Sequence, residues 1–420
     1  MTSGVLRVAM VAYGDVTFDS RVQREANSLV RAGHSVTLFC LEGSHATAPM
    51  LDPRVNLELV MVGGRPGLPH APSPFLGKSG VRRFAARLGW LGAYLRNLRT
   101  WGHAIARTST AFQVWHAHDF TGLVAGSVAR SPGSALVYDV HDLLLESGTG
   151  ARLPNPLRWA LRRYERHLVR KVDLVVAVNH GLAAYLERGL HPRSMVVVHN
   201  CVPAWSAPNP RPTLIRDTLG IAPTEPVVLY HGLLDVNRGL ETLCSAILEP
   251  GLGRAHLVLL GFGQHRQRLL DLAGEPRFSG RIHVLDPVSP ADLLPWVASA
   301  DVGAMAMPPT TLNLVLSTPN KMFECLAAGV PVVISDFPTA RTIVLDDPLG
   351  PLGAVCDPTD TDSLAGAIRS IIYLDRVSSS DLRRRCSVAA RERWNWESEA
   401  RSLLDGYQAI HDARRIGGRG

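Results

Sequence analysis

The sequence predicts an α/β protein with two doubly wound domains, each built on a parallel sheet. First, its 420 residues give room for two domains of about 200 residues each. Second, short apolar runs alternate with amphipathic segments in both halves, which is typical of right-handed βαβ units. Third, the proline-rich stretch 200–212 separates the two series and is the best linker candidate. We therefore expect one domain over residues 1–205 and a second over residues 206–395.

The N-terminal half starts with a strand, a helix and a second strand, over residues 5–11, 21–32 and 35–40. Gly14 and Asp19 lie in the first strand–helix loop, at the end of the sheet where open α/β folds bind ligands. This loop has a single glycine and is therefore no dinucleotide fingerprint. Residues 42–75 are rich in glycine and proline and predict a loop around a short strand at 56–60. Further strands are predicted at 114–116, 135–140, 174–178 and 195–199.

Polar residues follow two neighbouring strands of this half. The sequences are His116-Ala117-His118-Asp119 and Asp139-Val140-His141-Asp142, with Glu146 beyond. Because parallel strands end on the same side, both clusters face one edge of the sheet. Three interpretations stay open: a metal site, for which this spacing is unspecific, histidines that cap loops, and a polar cleft that binds a sugar and supplies acid–base groups.

The net charge of +7 is unevenly distributed. Residues 59–107 contain no acidic side chain, and segment 78–107 combines arginines with aromatic and aliphatic residues at helical spacing. This pattern predicts either a domain helix with a solvated arginine face or a helix that contacts an anionic membrane or substrate. A second basic stretch, 152–171, carries Glu165 against seven cations. Aromatic residues are too sparse to favour a nucleic-acid partner.

Composition excludes several other classes. The six cysteines have no close pairs, so neither a zinc site nor a disulfide framework is expected. No uncharged apolar run of about 18 residues occurs, so we expect no transmembrane helix. A mean hydropathy of +0.07 fits a soluble globular protein, and the cysteines are expected to be the reduced, mostly buried thiols of a cytoplasmic protein.

The second half is organised around residues 317–334. Thr318, Pro319 and Asn320 predict a helix start with Lys321 in the first turn, a helix to residue 328 and a buried strand over 330–334. Exposed N–H groups at a helix start suit a diphosphate, and Glu324, one turn later, can bind ribose hydroxyls. An ordinary helix–strand unit is the alternative. The other predicted elements are strands at 227–231, 257–260, 282–285 and 302–306 and a helix at 291–298.

The loop 232–239 is a second phosphate candidate. Gly232 lets the backbone approach a ligand, and Arg238 can clamp a phosphate through two donors. The loop lacks the Gly-Lys-Ser/Thr of a Walker A motif, and a plain strand–helix loop is the alternative. Gly261-x-Gly263 is a weak signal alone. Asp360-Thr361-Asp362 leads into an apolar helix and is expected to cap it rather than to bind metal.

In order and spacing, these motifs resemble those of the family 4 glycosyltransferases over nearly the whole chain. The resemblance implies the GT-B fold, two Rossmann-like domains facing across a cleft, with a final helix at about 396–412 that packs back on the first domain. The basic residues 414–420 after this helix are expected to form a disordered tail. It also implies a retaining, metal-independent transfer of a sugar from a UDP- or GDP-linked donor to a glycan, a lipid-linked acceptor or a small natural product. Its further carriers are Asp19-x-Arg21-Val22-x-x-Glu25-Ala26, Tyr230-x-Gly232…Arg238-Gly239-Leu240-Glu241, Ala300-Asp301-Val302, Pro319-Asn320-Lys321-x-Phe323-Glu324 and Trp394-Asn395-Trp396-Glu397.

The resemblance also suggests roles for individual residues. His118, Arg238 and Lys321 would be catalytic, with His118 beside the donor sugar and Arg238 on the diphosphate. Glu324 matches the second glutamate of the family's E-x7-E motif and would bind the donor ribose. The remaining donor-side residues would be Gly232, Gly263, Thr318, Pro319 and Asn320. The acceptor-side residues would be Gly14, Asp19, Arg21, Asp139 and His141.

Two departures from the family pattern bear on activity. Leu316 stands where the first glutamate of the motif is expected, and Leu233 and Leu234 stand near the place of a usual arginine. Lys321 and the N–H groups around 320–322 could substitute for the missing cation. A catalytically degenerate nucleotide-sugar-binding protein and a sugar-nucleotide epimerase are therefore kept as alternatives.

Overall fold

The computed structural model describes residues 4–17, 19–41, 49–61, 80–108, 111–278 and 280–417. The chain divides into two compact units, residues 1–198 with 400–420, and residues 199–399. The expected boundary at 205–206 falls inside the second unit, because residues 199–204 are bonded to the stretch that ends this unit. The N–H of His199 donates to Glu399 at 2.8 Å, and the N–H of Trp396 donates to the carbonyl of Val202 at 2.8 Å.

Unit 1 contains a seven-stranded sheet in which every strand pair is parallel. Its order is β3-β2-β1-β4-β5-β6-β7. The order reverses between β1 and β4, and ligands of doubly wound folds bind beside such a switch point. The strands are β1 (Arg7–Val11), β2 (Ser35–Cys40), β3 (Asn56–Leu59), β4 (Val114–His118), β5 (Ala135–Val140), β6 (Leu174–Ala177) and β7 (Met195–Val197).

Helices cover both faces of this sheet. His116 of β4 contacts both the first helix and the last, so these two helices share one face. The helices are α1 (Ser20–Arg31), α2 (Gly80–Thr108), α3 (Asp119–Ala129), α4 (Gly148–Ala151), α5 (Asn155–Val169), α6 (His180–Leu190) and, from residue 400 on, the last helix, which begins at Trp396.

Unit 2 contains a six-stranded parallel sheet in the order β10-β9-β8-β11-β12-β13. Its switch point lies between β8 and β11. The strands are β8 (Val227–Leu233), β9 (His256–Phe262), β10 (Ile282–Leu285), β11 (Val302–Met305), β12 (Val332–Ser335) and β13 (Gly353–Cys356). The helices are α7 (Leu214–Leu219), α8 (Leu240–Ala246), α9 (Arg266–Ala273), α10 (Leu293–Ala298), α11 (Leu312–Leu316), α12 (Asn320–Ala327), α13 (Pro338–Leu345), α14 (Thr361–Ile372) and α15 (Arg376–Glu392), followed by α16 (Trp396–Gly417).

The two parallel sheets confirm the predicted α/β fold class. Asp360 caps α14, with its carboxylate accepting from the N–H of Asp362 at 2.9 Å, as the sequence indicated. The expected end of the last helix near residue 412 is wrong, because α16 continues to Gly417 and takes in residues expected to form a disordered tail. Most of the loop expected over 42–75 lies outside the described residues. Among the helices that the structure describes, none is long and apolar enough to cross a membrane.

Close packing of α3 on the sheet of unit 1 depends on Gly122. A Cβ atom at this position would overlap the carbonyl oxygen of Val11 in β1. One turn later, a Cβ at Gly126 would lie 3.5 Å from the Cβ of Ala117, which is ordinary van der Waals contact. A methyl group would therefore clash with β1 at Gly122 but fit without strain at Gly126.

We predict that Gly122→Ala destabilises the protein by about 1–3 kcal/mol, the usual cost of overpacking a core. Gly126→Ala is the matched control in the same helix, and we expect it to be neutral or slightly stabilising because alanine favours helix. Urea denaturation midpoints measure both effects. Equal midpoints for the two variants would contradict the packing argument.

Candidate functional site

The first two turns of α12 are docked on the carboxyl end of β8 by two contacts. The ammonium of Lys321 donates to the hydroxyl of Tyr230 at 2.9 Å and lies 4.1 Å from the centre of the Tyr230 ring. A Cβ at Gly232 would lie 3.6 Å from the Lys321 Nζ, in ordinary van der Waals contact, so it is the φ of 101° that favours glycine here. The second contact joins His231 Nε2 to Glu324 Oε2 at 2.7 Å.

The loop after β8 carries Arg238 next to α8. Gly239 has φ 70°, and a Cβ there would overlap the carbonyl oxygen of Ala306, so only glycine fits. One guanidinium nitrogen of Arg238 lies 3.6 Å from the sulfur of Met307. Among the residues that the structure describes, no carboxylate lies within ion-pair distance of Arg238 or Lys321. The carboxyl edge of the unit 2 sheet therefore carries two basic side chains that have no ion-pair partner among the described residues.

The ammonium of Lys321 is destabilised by its surroundings. Burial, together with the positive charge of Arg238, lowers the pKa of Lys321 to about 7. An anion bound at this edge would favour the protonated form and raise the pKa again. This response is what an anion-binding lysine requires.

The other donor-side residues lie around the same edge. Helix α12 begins at Asn320, within the predicted helix start, with Pro319 as the flanking residue and no side-chain cap. Thr318 is buried. Gly261 and Gly263 allow β9 and its loop to approach the backbone of Gly232 and Leu234, where a Cβ would overlap a carbonyl oxygen in each case.

Unit 1 carries a separate buried polar network at the ends of β4 and β5. Arg21 donates two hydrogen bonds to Asp139, at 2.9 and 2.8 Å, and a third to the carbonyl of Val198 at 2.6 Å. Burial alone would raise the pKa of Asp139, but Arg21 and His141 hold it well below the usual range. The carboxylate is therefore ionised and paired.

His116 joins this network to Glu25 and Tyr407, which come from distant parts of the chain. His116 lies with Nε2 3.3 Å from Glu25 Oε2 in α1 and with Nδ1 2.8 Å from the hydroxyl of Tyr407 in α16. Burial raises the pKa of Glu25 well above its ordinary value. The Tyr407 contact explains how the last helix is fixed on unit 1.

His118 and His141 meet at Asp139 in different protonation states. Burial lowers the pKa of His118 to about 3, so this ring is neutral. Burial also opposes charge on His141, but Asp139, at 2.8 Å, and Asp119 raise its pKa to about 10. Asp119 accepts from the backbone N–H of His141 at 2.8 Å and has a strained φ of 55°.

Four groups of this network have the composition of a metal site. Glu25, His116, His118 and Asp139 each offer a ligand atom, and these atoms all lie within 4.8 Å of one another. The guanidinium of Arg21, however, lies 2.8 Å from Asp139 and 3.1 Å from Glu25, and it already supplies the positive charge. A divalent cation would have to displace it, so the donor set fits a metal poorly.

The structure brings some of the residues singled out in the sequence together and leaves others apart. The structure brings His118, Arg21, Asp139 and His141 together, whereas Asp19 caps α1 at 3.1 Å and no contact requires glycine at Gly14. Glu146 leaves the cluster and pairs with Arg158 at 2.8 Å. The missed residues are Glu25, Tyr230, His231 and Tyr407. His231 could have been noticed in the sequence, because it is a polar residue at the end of a predicted buried strand.

Comparisons with known families cover most of the chain. Residues 19–201 match the glycosyl transferase 4-like domain, and residues 225–373 match the glycosyl transferases group 1. These matches and the two parallel-sheet units define a glycosyltransferase of the GT-B class. Within that class, the chain belongs to the family 4 glycosyltransferases, which confirms the resemblance, and it is an enzyme of the hexosyltransferase type.

Individual relatives are distant. A D-inositol 3-phosphate glycosyltransferase of Xylanimonas cellulosilytica is 26% identical, with 91% of this chain and 89% of the relative covered. A glycogen synthase of Mycobacterium tuberculosis is 28% identical, with 72% and 70% covered. The solved sucrose-phosphate synthase of Thermosynechococcus elongatus has a TM-score of 0.72 at 17% identity, covering 97% of this chain and all of that one. The Anabaena protein HepE, solved with UDP-glucose, has a TM-score of 0.68 at 17% identity, covering 96% and 100%.

The raised pKa of His141 gives unit 1 a defined pH dependence. A histidine whose folded pKa lies above its unfolded value stabilises the fold below about pH 6.5 and loses this contribution as the pH rises towards about 10. We predict that His141→Gln costs about 2 kcal/mol at pH 6.5, the size of a hydrogen bond to a charged group. The cost should shrink towards pH 10. Urea midpoints of both proteins at several pH values measure it, and a constant difference would contradict the assignment.

Proposed function

We propose that the chain is a retaining, metal-independent glycosyltransferase that uses a UDP- or GDP-linked sugar donor. The proposal rests on one observation above all: Lys321 and Arg238 lie together at the carboxyl edge of unit 2, beside the start of α12, and no carboxylate among the described residues lies within ion-pair distance of either. A diphosphate supplies the missing negative charge, and backbone N–H groups at a helix start add donors for it. The UDP-glucose held by the Anabaena relative makes UDP the first nucleotide to test.

The residues of this edge suit the separate parts of a donor. Arg238 and Lys321 would bind the diphosphate, and Glu324 would accept hydrogen bonds from the ribose hydroxyls. Gly232, Gly263, Thr318, Pro319 and Asn320 would form the backbone wall of the donor site. When the bond from the sugar to the phosphate oxygen breaks, the two cations would stabilise the charge that develops on the leaving group.

Unit 1 would recognise hydroxyl groups. With Nδ1–H of His118 directed at Asp139, 3.3 Å away, its Nε2 keeps a lone pair that can accept from a sugar hydroxyl. His141 would hold Asp139 and Arg21 in place. Gly14 and Asp19 follow the neighbouring strand β1 and would belong to the same acceptor side. A glycan, a lipid-linked acceptor and a small natural product all offer such hydroxyls.

In the proposed reaction, the acceptor hydroxyl attacks the sugar on the face from which the phosphate departs. A new carbon–oxygen bond forms, the bond to the phosphate breaks, and the acceptor proton passes to the departing phosphate oxygen. No metal is needed, because Arg238 and Lys321 supply the positive charge that a metal would provide. Activity should accordingly survive a chelator.

Donor turnover tests the proposal directly. The purified protein is incubated with UDP- and GDP-linked hexoses, with and without a panel of acceptors, and released nucleoside diphosphate is measured. Release that depends on an acceptor supports transfer, and release or isomerisation without one favours the epimerase alternative. Binding without turnover favours the degenerate alternative, for which Leu316 in α11 is the specific observation.

We predict that Arg238→Ala lowers turnover by about 10²–10³-fold, the usual loss when a donor to developing charge is removed. Arg254→Ala is the matched control, because Arg254 is exposed and pairs with Glu225 near the opposite end of the sheet. Steady-state turnover rates of both variants measure the effect. An unchanged rate for Arg238→Ala would remove this residue from the mechanism.

A second prediction concerns the proton on Lys321. At pH 8 a lysine with a pKa of about 7 is mostly neutral, so binding of UDP should take up a proton, approaching one per ligand. Calorimetric titration in buffers of different ionisation enthalpy measures this uptake. In Lys321→Arg the cation is permanent and the uptake should vanish. Equal uptake in both proteins would show that another group takes the proton.

We also propose that the segment 78–107 contacts an anionic membrane. Residues 78–79 and the side chains of 80–83 lie outside the description, but the rest of α2 exposes Phe84 and Leu88 one turn apart, and it exposes three arginines. Apolar side chains next to cations are typical of interfacial helices. The arginines are Arg96, Arg99 and Arg107.

Vesicle co-sedimentation tests this contact. Binding should require phosphatidylglycerol in phosphatidylcholine vesicles, weaken with salt and fall when Arg96, Arg99 and Arg107 are replaced by glutamine. The matched control replaces three exposed arginines in and directly after α5 by glutamine. Loss of binding in the α5 variant alone would contradict the role of α2. The control residues are Arg163 and Arg166 in α5 and Arg170, which directly follows this helix.

A further inference from the structure

The buried His231 forms a pair with Glu324, the residue proposed to bind the donor ribose. The His231 side chain is 2% exposed and Glu324 is 18% exposed, with 2.7 Å between Nε2 and Oε2. The histidine is the fifth residue of β8, and the glutamate is the fifth residue of α12. The contact therefore ties a rigid central strand to the first turns of the helix at the proposed donor edge.

The geometry limits what His231 can do. With Nε2 facing a carboxylate oxygen, this nitrogen carries the hydrogen and donates it. A carboxylate can accept at about four lone-pair positions, so one bond from His231 leaves acceptor capacity for other donors. The histidine itself is almost fully covered, so its access to a ligand is through Glu324.

We infer that His231 is a positioning residue that fixes the Glu324 carboxylate for the ribose of the donor, an inference that rests on the proposed function. A free glutamate side chain rotates about three bonds and loses this freedom on binding. His231 removes that freedom before the ligand arrives, so the hydrogen bonds to the ribose hydroxyls form at lower entropic cost. The residue should therefore matter for the ribose and not for the diphosphate.

The test compares UDP with 2′-deoxy-UDP and 3′-deoxy-UDP by calorimetry. Wild type should prefer UDP over at least one deoxy analogue by about tenfold, the size expected for a hydrogen bond to a charged group. His231→Phe fills the site without a donor and should lose most of this preference while binding the deoxy analogue as wild type does. His231→Gln places an amide N–H near the position of Nε2 and should restore it.

A matched control is available in the same unit. His256 also faces a glutamate, with Nε2 3.2 Å from Glu225 Oε2, but it is the first residue of β9 and lies at the opposite end of the sheet. His256→Phe should leave the preference for ribose unchanged. A loss of preference in this control would show that the effect is a general response to a buried substitution.

The outcomes separate the two claims. If wild type binds no nucleoside diphosphate, the proposed function fails and the inference fails with it. If wild type prefers UDP and His231→Phe keeps the full preference, only the positioning role is overturned. The same holds if His231→Phe weakens UDP and the deoxy analogues equally, because that result describes a structural residue. Loss in His231→Phe with recovery in His231→Gln supports the inference.

Discussion

The docking of α12 on β8 is the contact on which the account of unit 2 depends. It places Lys321 against Tyr230 and Glu324 against His231, so the cation and the carboxylate are both held by one strand. The strand is central in the sheet and lies beside the switch point, the place where doubly wound folds bind ligands. The first turn of the helix therefore carries a fixed set of charges, and Lys321 is held in a place where its charge is disfavoured until an anion arrives.

Unit 1 handles charge in the opposite way. Its buried acids Asp139 and Glu25 are gathered around Arg21, and its histidines differ in protonation because of what faces them. A charge buried with its partner is costly to break, and removing one member leaves the other uncompensated. The network is therefore a rigid support for the strand ends, whereas in unit 2 no carboxylate among the described residues lies within ion-pair distance of Lys321 or Arg238.

Much of the fold could be predicted because parallel strands are continuous apolar runs. The strand Ile282–Leu285 was predicted to the residue, and α1 was displaced by a single position. The strand Gly353–Cys356 was missed, since its four residues are small, three of them are only partly buried, and it forms the edge of the sheet. The end of α16 was missed because Gly417 and the arginines before it suggest a tail when no packing is known.

The site could be predicted only in part, for a similar reason. Motifs locate Arg238, Lys321 and Glu324, but the partners of these residues come from other parts of the chain. His231 precedes Glu324 by 93 residues, and Tyr407 follows His116 by 291. Such pairings depend on topology and on side-chain direction, neither of which a local pattern contains. The same limit applies to Glu25, which the helical pattern of α1 gave no reason to place beside a histidine.

The most direct test of the central claim is calorimetric titration of the protein with UDP, GDP, ADP and TDP, repeated on Glu324→Ala. The account predicts that one nucleotide, UDP or GDP, binds in the micromolar range and that the variant binds it more weakly. Binding of none of the four, or equal binding by wild type and variant, would contradict the donor site proposed for unit 2.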